Sequence, residues 1–256
     1  MSKIIAIVNQ KGGVGKTTTA VNLAAAVGIS GKKVLLVDAD PQGNSTSGFG
    51  VNKREVAFSS YDLLIGSQRA KTTILNTTFK NVDIIPANMD LAGAEVELIS
   101  IENREAQLKK ALSFVRGDYD YIFIDCPPPL GLITINALTA SDTVLVPVQC
   151  EYYAMEGLSQ LMSSVRQIKR LYNDSLELEG VVLTMFDGRL NLTHQVVDEL
   201  KRFFANKLFN TTIPRAVRLS EAPSYGMPIQ YYDKRSKGAK AYDELARELI
   251  KRNGGR

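Results

Sequence analysis

With 256 residues, 45% of them apolar and 23% charged, the chain can bury one large core, and a single α/β domain over residues 1–256 is expected. No run approaches the roughly 18 apolar residues of a membrane-spanning helix, and the short apolar start is followed by a glycine loop rather than a cleavage site, so the chain reads as cytoplasmic. Cys126, Cys150 and the one histidine, His194, with no CxxC pair, argue against both a disulfide framework and a structural zinc site; the net charge of +4 is uneven, with 14 Lys/Arg against 16 Asp/Glu in residues 1–165 and 17 against 11 in residues 166–256, which fits either a polyanionic partner or a solvated basic face.

The first predicted strand, Ile4–Val8, runs directly into QKGGVGKTT at 10–18. This almost matches the phosphate-binding pattern G-x-x-x-x-G-K-[ST], but Gln10 stands where the first glycine belongs and Lys11 is an additional lysine. Gly12, Gly13 and Gly15 leave no Cβ in the way, so backbone N–H groups here and at Val14 can close around phosphate oxygens at the start of a helix beginning near Lys16. Lys16 would reach the β- and γ-phosphates, with Thr17 offering its hydroxyl to Mg2+ and Thr18 beside it. A plain glycine turn, or a G-x-G-x-x-[GA] dinucleotide turn, accounts for the glycines but not for Lys16-Thr17-Thr18.

The second strand, Val34–Val37, opens LLVDADPQGNST at 35–46. Alternation puts Asp38 and Asp40 on one side, where one can hold the water shell of a metal and the other orient an attacking water. Asp40-Pro41 could simply start a turn, which explains one aspartate and not both. The Gly/Ser-rich stretch Gly43–Gly50 reads as a functional loop. After a strand at Val82–Ile85, YDYIFIDCPPP at 119–129 carries the strand Tyr121–Ile124 into Asp125, where a Mg2+ carboxylate is expected; alone this is a weak signal.

Strands follow at Thr143–Val148, Val181–Met185 and, more weakly, Asn210–Ile213, with a helix over Glu156–Tyr172 marked by Leu158, Leu161, Met162, Val165 and Ile168. Tyr152 and Tyr153 should pack or line an interface, and Phe203 and Phe204 should be core. Nearly continuous apolar strands alternating with helices predict a doubly wound, mainly parallel sheet flanked by helices, with ligands at the carboxyl ends of the strands. Each motif falls at such an end.

Together, K-G-G-x-G-K-T-T at 11–18, V-D-x-D-P-Q-G-N at 37–44 and I-D-C-P-P at 124–128 resemble the deviant Walker A ATPases, a P-loop NTPase-like group. VPVQCEYYAMEGLSQL at 146–161 and IPRAVRLSEAPSYGMPI at 213–229 resemble its ParA/Soj branch, the chromosome-partition ATPases, in their short chromosomal form. The resemblance implies an ATP- and Mg2+-dependent homodimer that hydrolyses ATP weakly. It also implies nonspecific double-stranded DNA binding, a ParB-type centromere-binding partner, nucleoid association and no membrane. It assigns Lys11 to the nucleotide of the other subunit, Asp38 and Asp125 to the Mg2+ shell, Asp40 to the attacking water, Met185, Pro214 and Arg215 to adenine, and Arg189 and Arg218 to DNA. Surface pairing of those arginines with Asp187 and Glu221 is the plainer reading of the last two. A MinD-like membrane-docking ATPase is the main alternative, because Tyr242, Leu245, Ala246, Leu249 and Ile250 form one apolar face on the last helix, although the tail Lys251–Arg256 adds no apolar extension. An iron–sulfur ATPase is disfavoured, since Cys126 directly follows Asp125.

Overall fold

The computed structural model describes residues 2–128 and 130–254; Met1, the third proline of the 119–129 motif (Pro129) and the tail residues Gly255 and Arg256 lie outside the described residues. Eight strands are β1 (Lys3–Ile7), β2 (Val34–Asp38), β3 (Leu75–Asn76), β4 (Val82–Ile85), β5 (Tyr121–Asp125), β6 (Thr143–Gln149), β7 (Glu177–Phe186) and β8 (Leu208–Pro214). They form one sheet in the order β3-β4-β2-β5-β1-β6-β7-β8. Every pair is parallel except β3–β4. The short antiparallel edge strand β3 was not expected, since two residues carry no periodicity.

The inner strands lack the polar alternation of a half-exposed sheet because both faces are covered. Strands β2 and β5 are buried along their whole length. Helices α1 (Lys16–Ile29) and α5 (Lys237–Arg252) cover one face, packing Leu23, Ala24, Tyr242 and Leu245 on Ile5, Ile7, Leu36 and Phe123. Helices α2 (Leu132–Ala140), α3 (Ala154–Leu171) and α4 (Asn191–Phe204) cover the other, packing Ile133, Leu158, Leu161 and Leu200 on Ala6, Val37, Ile124 and Val146. Each such aliphatic side chain contributes about 1.5–3 kcal/mol when removed from water. Leu158, Leu161, Val165 and Ile168 recur at the helical spacing read from the sequence and are all buried.

The apolar face of α5 is a docking face. Ala241, Tyr242, Leu245, Ala246, Leu249 and Ile250 are buried, the Tyr242 hydroxyl lies 3.2 Å from Thr19 Oγ1 of α1, and Glu248 accepts from the backbone N–H groups of Asn210 and Thr211 in β8. Two other expectations change. Residues Asn44–Gly48 of the Gly/Ser-rich stretch form a short helix. Phe203 is 69% exposed, whereas Phe204 packs partly buried against the core.

Candidate nucleotide site

The sheet register sets the site. Asp125 at the end of β5 lies level with Ile7 of β1 on one side and with Asp38 of β2 on the other, so the β1 loop and two carboxylates emerge side by side. Adjacent parallel strands lie about 4.8 Å apart. The loop is pinned from the opposite direction: Asn9 Nδ2 donates to Pro147 O of β6 at 2.8 Å, and Thr184 Oγ1 of β7 donates to Val14 O at 2.8 Å. Gly13 and Gly15 hold φ of 74° and 85°, where a Cβ is strained, and Gly15 turns the chain into α1.

The two lysines part company. Lys16 is buried to 7% exposure and its ammonium donates to Lys11 O at 3.0 Å; burial lowers its pKa, opposed by Asp125 and Asp40. The Lys11 ammonium points elsewhere and pairs with Glu151, just beyond β6, in an exposed ion pair. A Cβ at Gly12, between them in the loop, would have no neighbour within 4 Å.

Asp38 and Asp125 are both fully buried, and burial raises both pKa values; the Asp38 charge raises that of Asp125 further, and the Asp40 charge raises that of Asp38. Their partners differ. Asp38 Oδ2 accepts from Thr46 N at 2.8 Å and Thr46 Oγ1 at 2.7 Å, and its Oδ1 accepts from Asp40 N at 3.2 Å. Expected in the metal's water shell, Asp38 therefore spends its oxygens on the segment that carries Asp40. Asp125 Oδ2 accepts from Ser45 Oγ at 2.7 Å, while its Oδ1 is buried without a hydrogen-bond partner among the described residues; the Thr17 hydroxyl is near enough to the carboxylate to favour the charged form. Asp40 lines the open cavity, and its Oδ1 accepts from Gln42 N at 2.9 Å.

A cavity of about 570 Å³ is bounded by Gly13, Gly15, Lys16, Thr17, Thr18, Asp40 and Met185. A smaller hollow of about 250 Å³ shares Gly15, Thr18 and Met185 and adds Pro214 and Arg215. Met185, between the two, has φ of 49°, a rare conformation for a side chain of its kind. Sequence reasoning missed Ser45, Thr46, Thr184 and Glu151; the first two follow the aspartate motif directly, but only the fold brings them onto Asp125 and Asp38.

Arg189 and Arg218 sit in the segments after β7 and β8. Arg189 pairs with Asp187 through Nε at 2.9 Å and Nη2 at 2.6 Å, holding that carboxyl at a pKa of about 2. Arg218 meets Glu221 at 2.9 Å and Asp233 at 3.7 Å, with its guanidinium 5.9 Å from the Tyr232 ring centre. The plainer surface pairings are thus present, and both side chains stay exposed. Tyr152 and Tyr153 are exposed and meet edge to face at 5.1 Å.

The family model described as an AAA domain matches residues 2–178. The sporulation initiation inhibitor protein Soj of Bacillus subtilis is 58% identical over 249 residues, covering 97% of this chain and 98% of that protein. The chromosome-partitioning ATPase Soj of Treponema pallidum is 48% identical over 256 residues, 100% of each chain. Among solved structures, cobyrinic acid a,c-diamide synthase from Mycobacterium smegmatis with bound ATP analog and magnesium is similar at a TM-score of 0.86 and 35% identity, covering 99% of this chain and 96% of that one. The septum site-determining protein MinD from Pyrococcus horikoshii, complexed with Mg-ADP, has a TM-score of 0.81 at 29% identity, covering 99% and 98%. On the matched family model and these nearly full-length relatives, this chain belongs to the ParA/Soj family of chromosome-partitioning ATPases.

Proposed function

We propose that residues 1–256 act as one ATPase domain, a switch that dimerises on ATP and Mg2+, binds DNA without sequence preference as the dimer, and resets by a slow hydrolysis that a ParB-type partner accelerates. The observation that carries this is the convergence of Lys16, Thr17, Thr18 and Asp40 on one cavity at the ends of β1, β2 and β5. Backbone N–H groups of residues 12–15 and the Lys16 ammonium bind the phosphates, while Pro214, Arg215 and Met185 in the adjoining hollow take the adenine. The Asp125 Oδ1, unpartnered among the described residues, and the Thr17 hydroxyl near that carboxylate are an oxygen-only donor set that suits Mg2+, which prefers one or two carboxylates plus phosphate oxygens. When bound, the cation supplies charge neutralisation on the transferring phosphoryl group.

Asp40 orients the attacking water, and Asp38 acts through it, fixing Asp40 N and Thr46 rather than touching the cation. Lys11, outside its own cavity, crosses to the partner's nucleotide and stabilises charge there, as an arginine finger does. Two-fold pairing doubles Arg189 and Arg218, which bind phosphates once Asp187 and Glu221 are displaced. The MinD-like reading is weakened because the apolar face of α5 is already buried on α1 and β8.

The test is sedimentation of the full chain with random-sequence duplex and, separately, with anionic liposomes, in ADP and in ATP with Mg2+. Binding to duplex only in ATP is the expected result. Binding to liposomes alone, or equally to duplex in both nucleotides, overturns the reading.

A further inference from the structure

The short helix Asn44–Gly48 carries two consecutive hydroxyls, both fully buried, and each grips a different aspartate. Successive residues on a helix point about 100° apart, which lets Ser45 reach β5 while Thr46 reaches β2. Ser45 Oγ donates to Asp125 Oδ2 at 2.7 Å, and Thr46 Oγ1 donates to Asp38 Oδ2 at 2.7 Å while accepting from Ala87 N at 2.9 Å. Thr46 thereby locks the helix to β2 and to the chain after β4. Among the described residues, the Ser45 hydroxyl is engaged on Asp125.

A buried carboxylate oxygen without a partner is costly, and rotating the Asp125 carboxylate would let both oxygens compete for the few donors nearby. The Ser45 bond removes that freedom. It occupies Oδ2 and leaves Oδ1, which has no partner among the described residues, as the oxygen available to a cation, with the Thr17 hydroxyl near the same carboxylate. We propose that Ser45 is the positioning residue for the Mg2+ carboxylate: its hydroxyl selects which Asp125 oxygen meets the cation. The same hydroxyl transmits occupancy at Asp125 to the segment holding Asp40 and Gln42. The inference rests on the reading of Asp125 as the Mg2+ carboxylate.

The transmission has a short path. Ser45 is five residues beyond Asp40, whose carboxylate accepts from Gln42 N and whose carbonyl accepts from Gly43 N at 2.8 Å, so the stretch from Asp40 to Ser45 is one hydrogen-bonded turn ending on Asp125. A shift of the Asp125 carboxylate toward a cation pulls on Ser45 and, through this turn, on the water-orienting group.

The test titrates Mg2+ against a fluorescent ATP analogue bound to the full chain, for wild type, Ser45→Ala, Ser45→Cys, Ser45→Thr and Asp125→Ala, with thermal midpoints taken without ligand. Ser45→Ala should weaken Mg2+ about tenfold, the lower end of what losing the outer partner of a ligating carboxylate costs, and leave Mg2+-free nucleotide affinity unchanged. Should Ser45→Ala fail to fold, Ser45→Cys keeps the volume with a far weaker donor and must give the same shift. Ser45→Thr, which retains the hydroxyl, should restore wild-type Mg2+ affinity. Unchanged Mg2+ affinity in Ser45→Ala or Ser45→Cys, or a Ser45→Thr variant as weak as either, overturns the proposal while leaving Asp125 as the Mg2+ carboxylate. Unchanged Mg2+ affinity in Asp125→Ala removes that reading and the proposal with it.

Discussion

Replacing Gly12 by Val separates what the loop does within one subunit from what it does between two. Within the subunit a Cβ at this position would have no neighbour within 4 Å, and the φ of Gly12 is not in the left-handed region. The folded monomer should therefore change by no more than about 0.5 kcal/mol, as for other surface positions, and ATP binding should persist. Gly13→Val is the internal contrast, because its φ of 74° makes any side chain cost roughly 1–2 kcal/mol. In a two-fold dimer whose loops meet at Gly12 the added side chain is present twice. Overpacking costs typically 1–3 kcal/mol at each place, so dimer affinity should fall roughly 30-fold to 25,000-fold. Light scattering across a protein dilution series in ATP and Mg2+ reads this directly, with a fluorescent ATP analogue confirming occupancy. A Gly12→Val chain that dimerises as wild type refutes the face-to-face arrangement. One that loses ATP instead refutes the claim that Gly12 is free within its own subunit.

Asp40→Ala should slow hydrolysis about 100-fold or more while retaining ATP, trapping the dimer; single-turnover hydrolysis and light scattering check it, and wild-type turnover contradicts the role. For the nucleotide-free chain, burial raises the folded pKa of Asp125 above its unfolded value, so the folded state holds the extra proton at intermediate pH. Stability from this group then falls as pH rises from about 4 through the folded pKa, and Asp125→Asn should melt higher than wild type at pH 8 with the gap closing toward pH 5. Melting curves in which the gap widens toward acid contradict this. If the four arginines of a dimer each neutralise one phosphate, log K for random duplex should fall with log salt at a slope of about −3.6. Arg189→Ala with Arg218→Ala should flatten the slope and weaken unrelated sequences equally, and an unchanged slope moves the DNA face elsewhere.

Much of the architecture was legible because a buried parallel strand writes itself as a β-branched run and a docked helix as a stripe. Ile4–Val8, Val34–Val37 and Tyr121–Ile124 reappear within a residue or two as β1, β2 and β5, and the stripe from Leu158 to Ile168 is the buried face of α3. Position in the sequence also told which side chains lie at strand ends. It could not tell what those side chains touch. Asp38 and Asp40 differ by two residues and alternate to one side, yet one is closed off by Thr46 and the other lines the cavity, a difference set by a helix folding back from Asn44. The hydroxyls of Ser45 and Thr46 look like ordinary loop polarity until the sheet register brings Asp125 level with Asp38. Phe203 illustrates the opposite limit, since α4 rotates it outward while its neighbour Phe204 packs.

The second lysine of the loop acquires its separate position from the first. Lys16 sits almost out of water, with Asp125 and Asp40 favouring its charge, and its ammonium is used on the carbonyl of Lys11. That bond holds the peptide before Gly12, and the Lys11 side chain is left outside on Glu151. Phosphate oxygens entering the cavity offer Lys16 charged acceptors, which add attraction between opposite full charges to the hydrogen bond that a neutral carbonyl already accepts. Lys16 would therefore exchange the Lys11 carbonyl for the nucleotide and release the outer part of the loop as the inner part closes. The exposed Lys11–Glu151 pair adds at most about 1 kcal/mol of resistance to this, so it would not prevent the outer lysine from reaching a second subunit's phosphates in the proposed dimer. In the proposed switch, one loop would thus report phosphate on its inner side by changing what its outer side is free to reach.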